Sequence, residues 1–334
     1  MDWELPRELL RAIPDGALRL DGKESFLTGV SSLWEQAQAM GESVVREALG
    51  GMTEILLLLI LAGIAEAMLS GTQEKNKGYV TLAAGTAILL SAVGDVDHLM
   101  GLGEQTIYDL ERFSKVLLPV MAAATASMGY AGAAAVRQVS TVLVGDLLLS
   151  LIRGLLLPLI WLQLSALGAG CLLGEGRLKA IANAVRKGIV WLLGSCLTAF
   201  TLYLTVTGAV VGSVDAAALR TAKRAVAGAV PVVGGVLSAV TETVLAGAGM
   251  LRNSIGIFGI LGVFAVCLLP FLRLGVQYLL FKLTAFLATA IASQPLADLL
   301  DGIGSVFGLV LGAVGSCAAV LLVSLLASLL AVTP

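Results

Sequence analysis

Residues 221–259 read TAKRAVAGAVPVVGGVLSAVTETVLAGAGMLRNSIGIFG. The stretch is apolar enough to enter a bilayer, yet it is crowded with Gly and Ala, interrupted by Pro231, and carries an acid at Glu242 and a base at Arg252. Small residues let helix backbones approach closely, and proline at membrane depth is tolerated where neighbours satisfy the freed carbonyl. Such a segment is expected inside a helical bundle, shielded from lipid by its own neighbours.

The whole chain agrees with a membrane setting. Of its 334 residues, 58% are hydrophobic and 13% charged, and the mean hydropathy is +0.95; a soluble domain is about 45–50% apolar and about 25% charged. The expected fold class is therefore all-α, a polytopic integral membrane bundle. A net charge of −2 and 5% aromatic residues offer neither a basic field nor a stacking surface, which excludes nucleic acid as a partner. Cys171, Cys196, Cys267 and Cys317 stand singly beside apolar runs, and His98 is the one histidine, so no metal site or redox pair is expected. No cofactor motif appears either: GAVPVVGG at 228–235 lacks the Lys-Ser/Thr of a phosphate loop, and the serines have no histidine base nearby. Nothing here has the form of an enzyme site.

A bilayer core needs about 20 apolar residues per helix. On that measure ten spans are expected, near 50–70, 78–99, 113–129, 131–152, 154–174, 188–211, 225–249, 254–271, 273–293 and 303–331, with those at Pro119, Arg137 and Pro231 either broken or re-entrant. Ahead of them, residues 1–48 form the one extended soluble-type segment, in which Phe26, Val30, Leu33, Trp34 and Ala37 recur at helical spacing and predict an amphipathic helix on the membrane or on the bundle. The start lacks a basic region followed by an apolar core, so no signal peptide is expected. The chain then divides into helical halves at 49–153 and 154–271 and a C-terminal helical pair at 272–334.

Landmarks in the two halves recur in one order about 110–118 residues apart: Lys77 and Lys187, the Gly-x-Val-Asp segments at Gly94 and Gly212, Pro119 and Pro231, Arg137 and Arg252, Pro158 and Pro270. Duplication and chance coincidence in a chain rich in Gly, Ala and Val both remain open. An even number of spans per unit would make the halves parallel, whereas a re-entrant third element would invert them. Lys75 and Lys77 in one loop, and Arg177, Lys179, Arg186 and Lys187 in another, fall on one side, which the positive-inside rule assigns to the cytoplasm. The Gly-x-Val-Asp segments at 94–97 and 212–215 are then expected in loops on the other side.

Charges at membrane depth are costly and mark function by default. Glu54, Glu66, Asp146, Glu242, Arg273 and Lys282 stand out, and Asp146, Ser150 and Arg153 share one helical face. As a functional set they would line a solute or ion path, with Glu242 facing a cavity beside Pro231. As a structural set, Glu54, Arg153 and Arg273 would snorkel from span ends, and Asp146 and Glu242 would pair with bases to hold helices together. Gly256, Gly259 and Gly262 are expected to serve close packing.

The motif at 220–260 resembles the signature of the stage III sporulation protein AE family: a basic TAK, a PVVG turn, an acidic TET and a closing N-S-I-G-I-F-G, preceded at the start of the chain by ELPRELLRAIP. The resemblance implies a protein of the mother-cell membrane around the forespore, working with other membrane proteins of its operon and a forespore membrane partner in a transenvelope channel. One copy or a homo-oligomer ring would fit. It implies as shared core Thr221, Ala222, Lys223, Pro231, Val232, Val233, Gly234, Thr241, Glu242, Thr243, Asn253, Gly256, Ile257, Phe258 and Gly259, none of them catalytic. To these the residue reading adds Pro119, Asp146 and Arg252. Family members usually begin with a cleavable leader, a pattern from which this opening departs. Two other roles stay open: a self-sufficient secondary transporter with a midplane site at broken helices around Pro119 and Pro231, and a scaffolding anchor for partner rings.

Overall fold

A computed structural model describes residues 26–69, 74–127, 133–173, 176–206 and 254–330. The described residues are helical: α1 (Phe26–Met68), α2 (Glu74–Ser127), α3 (Ala133–Leu151), α4 (Leu157–Leu173), α5 (Gly176–Val206), α6 (Ser254–Ile291) and α7 (Gln294–Leu330). A single π-turn, Ile152–Leu156, joins α3 to α4 without a break. Its place has a local reason, since Pro158 brings no N–H to the Gly154 carbonyl and the widened turn absorbs the gap.

Six of these helical runs are long and apolar enough to cross a membrane by length and composition. Ten separate spans were expected, and several are joined. The spans at 78–99 and 113–129 lie on α2, those at 131–152 and 154–174 on the α3–α4 run, and those at 254–271 and 273–293 on α6. The charged stretch 100–112, expected between spans, continues the helix, and Pro119 and Pro270 sit inside continuous helices. Residues 94–97, expected in a loop, are mid-helix in α2. The expected span at 225–249 and the segment at 212–215 lie outside the described residues.

The amphipathic helix expected near the N-terminus is continuous with the first span. Its buried stripe is Leu33 and Ala37, packed on Leu261 and Ala265 of α6, while Val30 and Trp34 face outward. It therefore lies along the bundle.

Helices α1 and α2, α4 and α5, and α6 and α7 form three hairpins whose bends meet at one end of the molecule. There Gly63 touches the Ile291 backbone, Thr81 Oγ1 is 3.2 Å from Ser293 Oγ, and a Cβ on Gly85 would stand 2.9 Å from Cys171 Sγ. Lys75 and Lys77, and Arg177, Lys179, Arg186 and Lys187, expected in loops, lie instead in the first turns of α2 and α5, which both start at this end. Helices α2 and α5 run away from that end while the α3–α4 run and α6 run toward it, so elements paired by the spacing of about 110–118 residues point the same way, as in a parallel arrangement.

Helix α7 is the axis. Its most apolar window is 94% buried, against 22% for those of α1 and α2. A helix apolar on every side has to be enclosed, and its glycines permit this: a Cβ on Gly302 would lie 2.5 Å from Leu167, and one on Gly308 would lie 2.9 Å from Tyr278. Phe281 and Phe307 meet across the α6–α7 seam with ring centroids 5.3 Å apart.

Candidate functional site

Helix α2 carries polar side chains into the bundle at three heights. Nearest the bends, Thr81 donates to Glu66 Oε1 at 3.0 Å. Midway, Gln277 of α6 donates to Asp95 at 3.4 Å, beside a cavity of about 60 Å³ lined by Glu47, Asp95, His98, Arg273 and Gln277 with apolar neighbours. Gly51 makes room for this carboxylate, since a Cβ there would be 2.8 Å from Asp95 Oδ2. Beyond that lies the largest group, centred on Glu111.

Glu111 is buried. It accepts from Lys115 Nζ at 2.5 Å, one helical turn on, and from Arg153 Nη1 of the π-turn at 3.5 Å. Lys115 also lies 3.8 Å from Asp146 on α3, and the Arg153 guanidinium sits 5.1 Å over the Tyr108 ring. Two acids and two bases thus compensate one another where α2 crosses the α3–α4 run. Each cation is about half exposed and each carries an apolar stem along the helix surface. Asp146 Oδ1, the oxygen that faces Lys115, is beyond hydrogen-bond distance of it and has no hydrogen-bond partner.

A separate pair lies on the α6–α7 seam. Lys282 Nζ donates to Asp301 Oδ1 at 2.6 Å and to Ser305 Oγ at 2.9 Å, and stands 5.9 Å from the Tyr278 ring centroid. Nearer the bends, Lys179 of α5 pairs with Asp298 of α7, which also accepts from Gln294 at 3.1 Å.

Several sequence expectations find their places here. Asp146 has the basic neighbour expected of a structural acid. Arg153, expected to snorkel, is instead held by Glu111 and Tyr108, because the π-turn directs it at α2. Arg273, also expected to snorkel, is half-buried beside the Asp95 cavity, and its Nε has no hydrogen-bond partner. Pro119 is exposed on α2, four residues past Lys115, whose carbonyl it leaves without a helical donor. Of the 220–260 motif, Gly256, Phe258 and Gly259 are buried in the first turns of α6; a Cβ on Gly259 would be 2.8 Å from Leu117 and 3.4 Å from Leu325. Thr221, Lys223, Pro231, Gly234, Thr241, Glu242, Thr243, Arg252 and Asn253 lie outside the described residues. Glu111, Lys115, Asp95 and Asp301 were missed. The four-residue spacing of Glu111 and Lys115 was the available signal, obscured because Glu111 fell between the expected spans 78–99 and 113–129.

No solved structure matches this chain. A Stage III sporulation protein AE of Bacillus subtilis (strain 168) is 24% identical over 248 residues, covering 74% of this chain and 62% of that protein. The match therefore spans less than two thirds of the relative's length. The family model for Stage III sporulation protein AE matches residues 23–332. From the α1 helix to the end of α7 the chain has the family's pattern, and it belongs to the stage III sporulation protein AE family, a family of sporulation proteins.

Proposed function

We propose that this protein is the multi-pass membrane component of a secretion-like channel complex between mother cell and forespore, required for endospore development. It sits in the mother-cell membrane around the forespore, with the hairpin bends on the cytoplasmic side. Its partners are the lipid bilayer, other membrane proteins of the same sporulation operon and a forespore membrane protein. Its role is permease-like and not enzymatic.

The family match over residues 23–332 carries this reading. The geometry is compatible with it: polar groups stand at three heights of one helix inside an otherwise apolar bundle, a costly placement that in membrane proteins marks functional positions. Affinity purification of the tagged protein from sporulating cells is the test. Co-purification of other membrane proteins of its operon is expected. A protein that purifies alone, and that moves a solute when reconstituted by itself in vesicles, would instead be a stand-alone secondary transporter.

A further inference from the structure

The large exposed apolar residues are not spread evenly in height around the bundle. On one flank, formed by α1, α2 and α6, most of the large exposed apolar residues lie toward the bends, among them Leu57, Ile64, Leu90, Leu279 and Phe286, while the smaller set Val30, Trp34, Val45, Leu49 and Tyr108 lies toward the open end. On the other flank, formed by α3, α4 and α5, most lie toward the open end, among them Leu143, Leu147, Leu155, Trp191 and Leu202, while Trp161, Leu162 and Ile181 lie nearer the bends. Contacts with the axial helix give the common scale, since Gly85 meets Leu296 and Gly103 meets Val310 and Val314, while Gly302 meets Leu167 and Gly145 faces Ser324 and Val320. On that scale the two belts are offset by about 15 residues of helix, on the order of 20 Å.

Charges confirm the offset from both ends. The first flank is charged at the open end, with Glu42, Glu47, Asp97, Glu104 and Arg112 all exposed. The second is charged at the bends, with exposed Arg177, Lys179 and Lys187 on α5. A slab of lipid perpendicular to the helices would immerse one of these sets in acyl chains. Helix α1 packs on α2 and α6, whereas α5 packs on α3, α4 and α7, so the flanks lie on opposite sides of the axis.

We propose that the bundle lies obliquely in the bilayer, so that lipid covers the bend-side half of α1, α2 and α6 and the open-side half of α3, α4 and α5. The charged halves of α1 and α2 then stand in water at the open end, and the basic start of α5 stands in water at the other. An offset of this size across a bundle a few helices wide corresponds to a tilt of roughly 30–40°, the upper part of the range of transmembrane helices. The inference rests on the reading of the chain as membrane-spanning, and is independent of its role in a channel.

Two level-matched pairs test it. Measured along α7, the contacts of Gly103 with Val310 and of Lys179 with Asp298 put Glu104 of α2 about level with Trp191 of α5, and the contact of Gly63 with Ile291 puts Leu61 of α1 about level with Arg177 of α5. In a full-length chain with Cys171, Cys196, Cys267 and Cys317 replaced by Ala, each of the four is changed singly to Cys and exposed to a membrane-impermeant maleimide in right-side-out and inverted vesicles. Glu104→Cys is expected to react from one face and Arg177→Cys from the opposite face, while Trp191→Cys and Leu61→Cys react only after detergent is added. Identical behaviour of the two members of either pair, with the chain still inserted, overturns the tilt. Reaction of all four from one side overturns insertion itself. The wild-type cysteines permit a second measurement in chains keeping only Trp34 or only Trp191: brominated-lipid vesicles should quench Trp191 strongly and Trp34 weakly, and equal quenching overturns the proposal.

Discussion

Arg153 of the π-turn and Glu111 of α2 are 42 residues apart in sequence and meet at 3.5 Å. The contact needs both the widened turn and the crossing of two helices, and it leaves the acid buried with cations on two sides. Breaking one partner of such a group exposes the others to an environment that hydrates them poorly. Glu111→Gln is expected to destabilise the protein by about 1–3 kcal/mol, the cost of a lost charged hydrogen bond whose cations are half hydrated. Thermal unfolding in detergent measures it. Arg46→Ala serves as the contrast, because the Arg46–Glu42 pair has both side chains 82% exposed and is expected to contribute less than about 1 kcal/mol.

Close packing at the start of α6 gives a second prediction. Gly262→Ala would drive a methyl group into the Phe113 ring, and Gly259→Ala one to 2.8 Å from Leu117. Each is expected to lower stability by about 1–3 kcal/mol through overpacking. Gly194→Ala has open space at its Cβ and should be neutral or stabilising by up to about 1 kcal/mol. Equal effects at all three positions, read from unfolding curves, would show that these glycines do not set the helix spacing.

The α6–α7 seam provides a third. Phe307→Ala removes a fully buried ring from the axial helix and is expected to cost about 3–5 kcal/mol. Across the same seam, a double-mutant cycle on Lys282→Met and Asp301→Asn should return a coupling of about 0.5–3 kcal/mol. Additive losses would mean that the 2.6 Å contact contributes nothing beyond each group alone.

Function supplies the fourth. Glu242 stands in the small-residue motif between Thr241 and Thr243, and Glu242→Gln keeps its shape while removing its charge. Heat-resistant spore counts are expected to fall with protein abundance unchanged, as judged by immunoblot. Wild-type counts would remove Glu242 from the functional set.

The sequence by itself determined the helical membrane class, the amphipathic start of α1 and the family, because composition, 3.6-residue periodicity and the 220–260 motif are local properties of the chain. It also pointed to Asp146, Arg153 and Lys282 as charges out of place. It could not say which acid answers each base, since Glu111 and Asp301 acquire their meaning only when distant helices cross. Nor could hydropathy tell a helix that stops at a charged stretch from one that continues through it: residues 100–112 join two expected spans into one helix, and their buried Glu111 finds its cations only on that helix and on the π-turn that crosses it. The apolar faces and glycines of α7 require and permit its enclosure, but which helices enclose it, and the uneven height of the apolar belt, were decided by packing, because they depend on how distant helices cross.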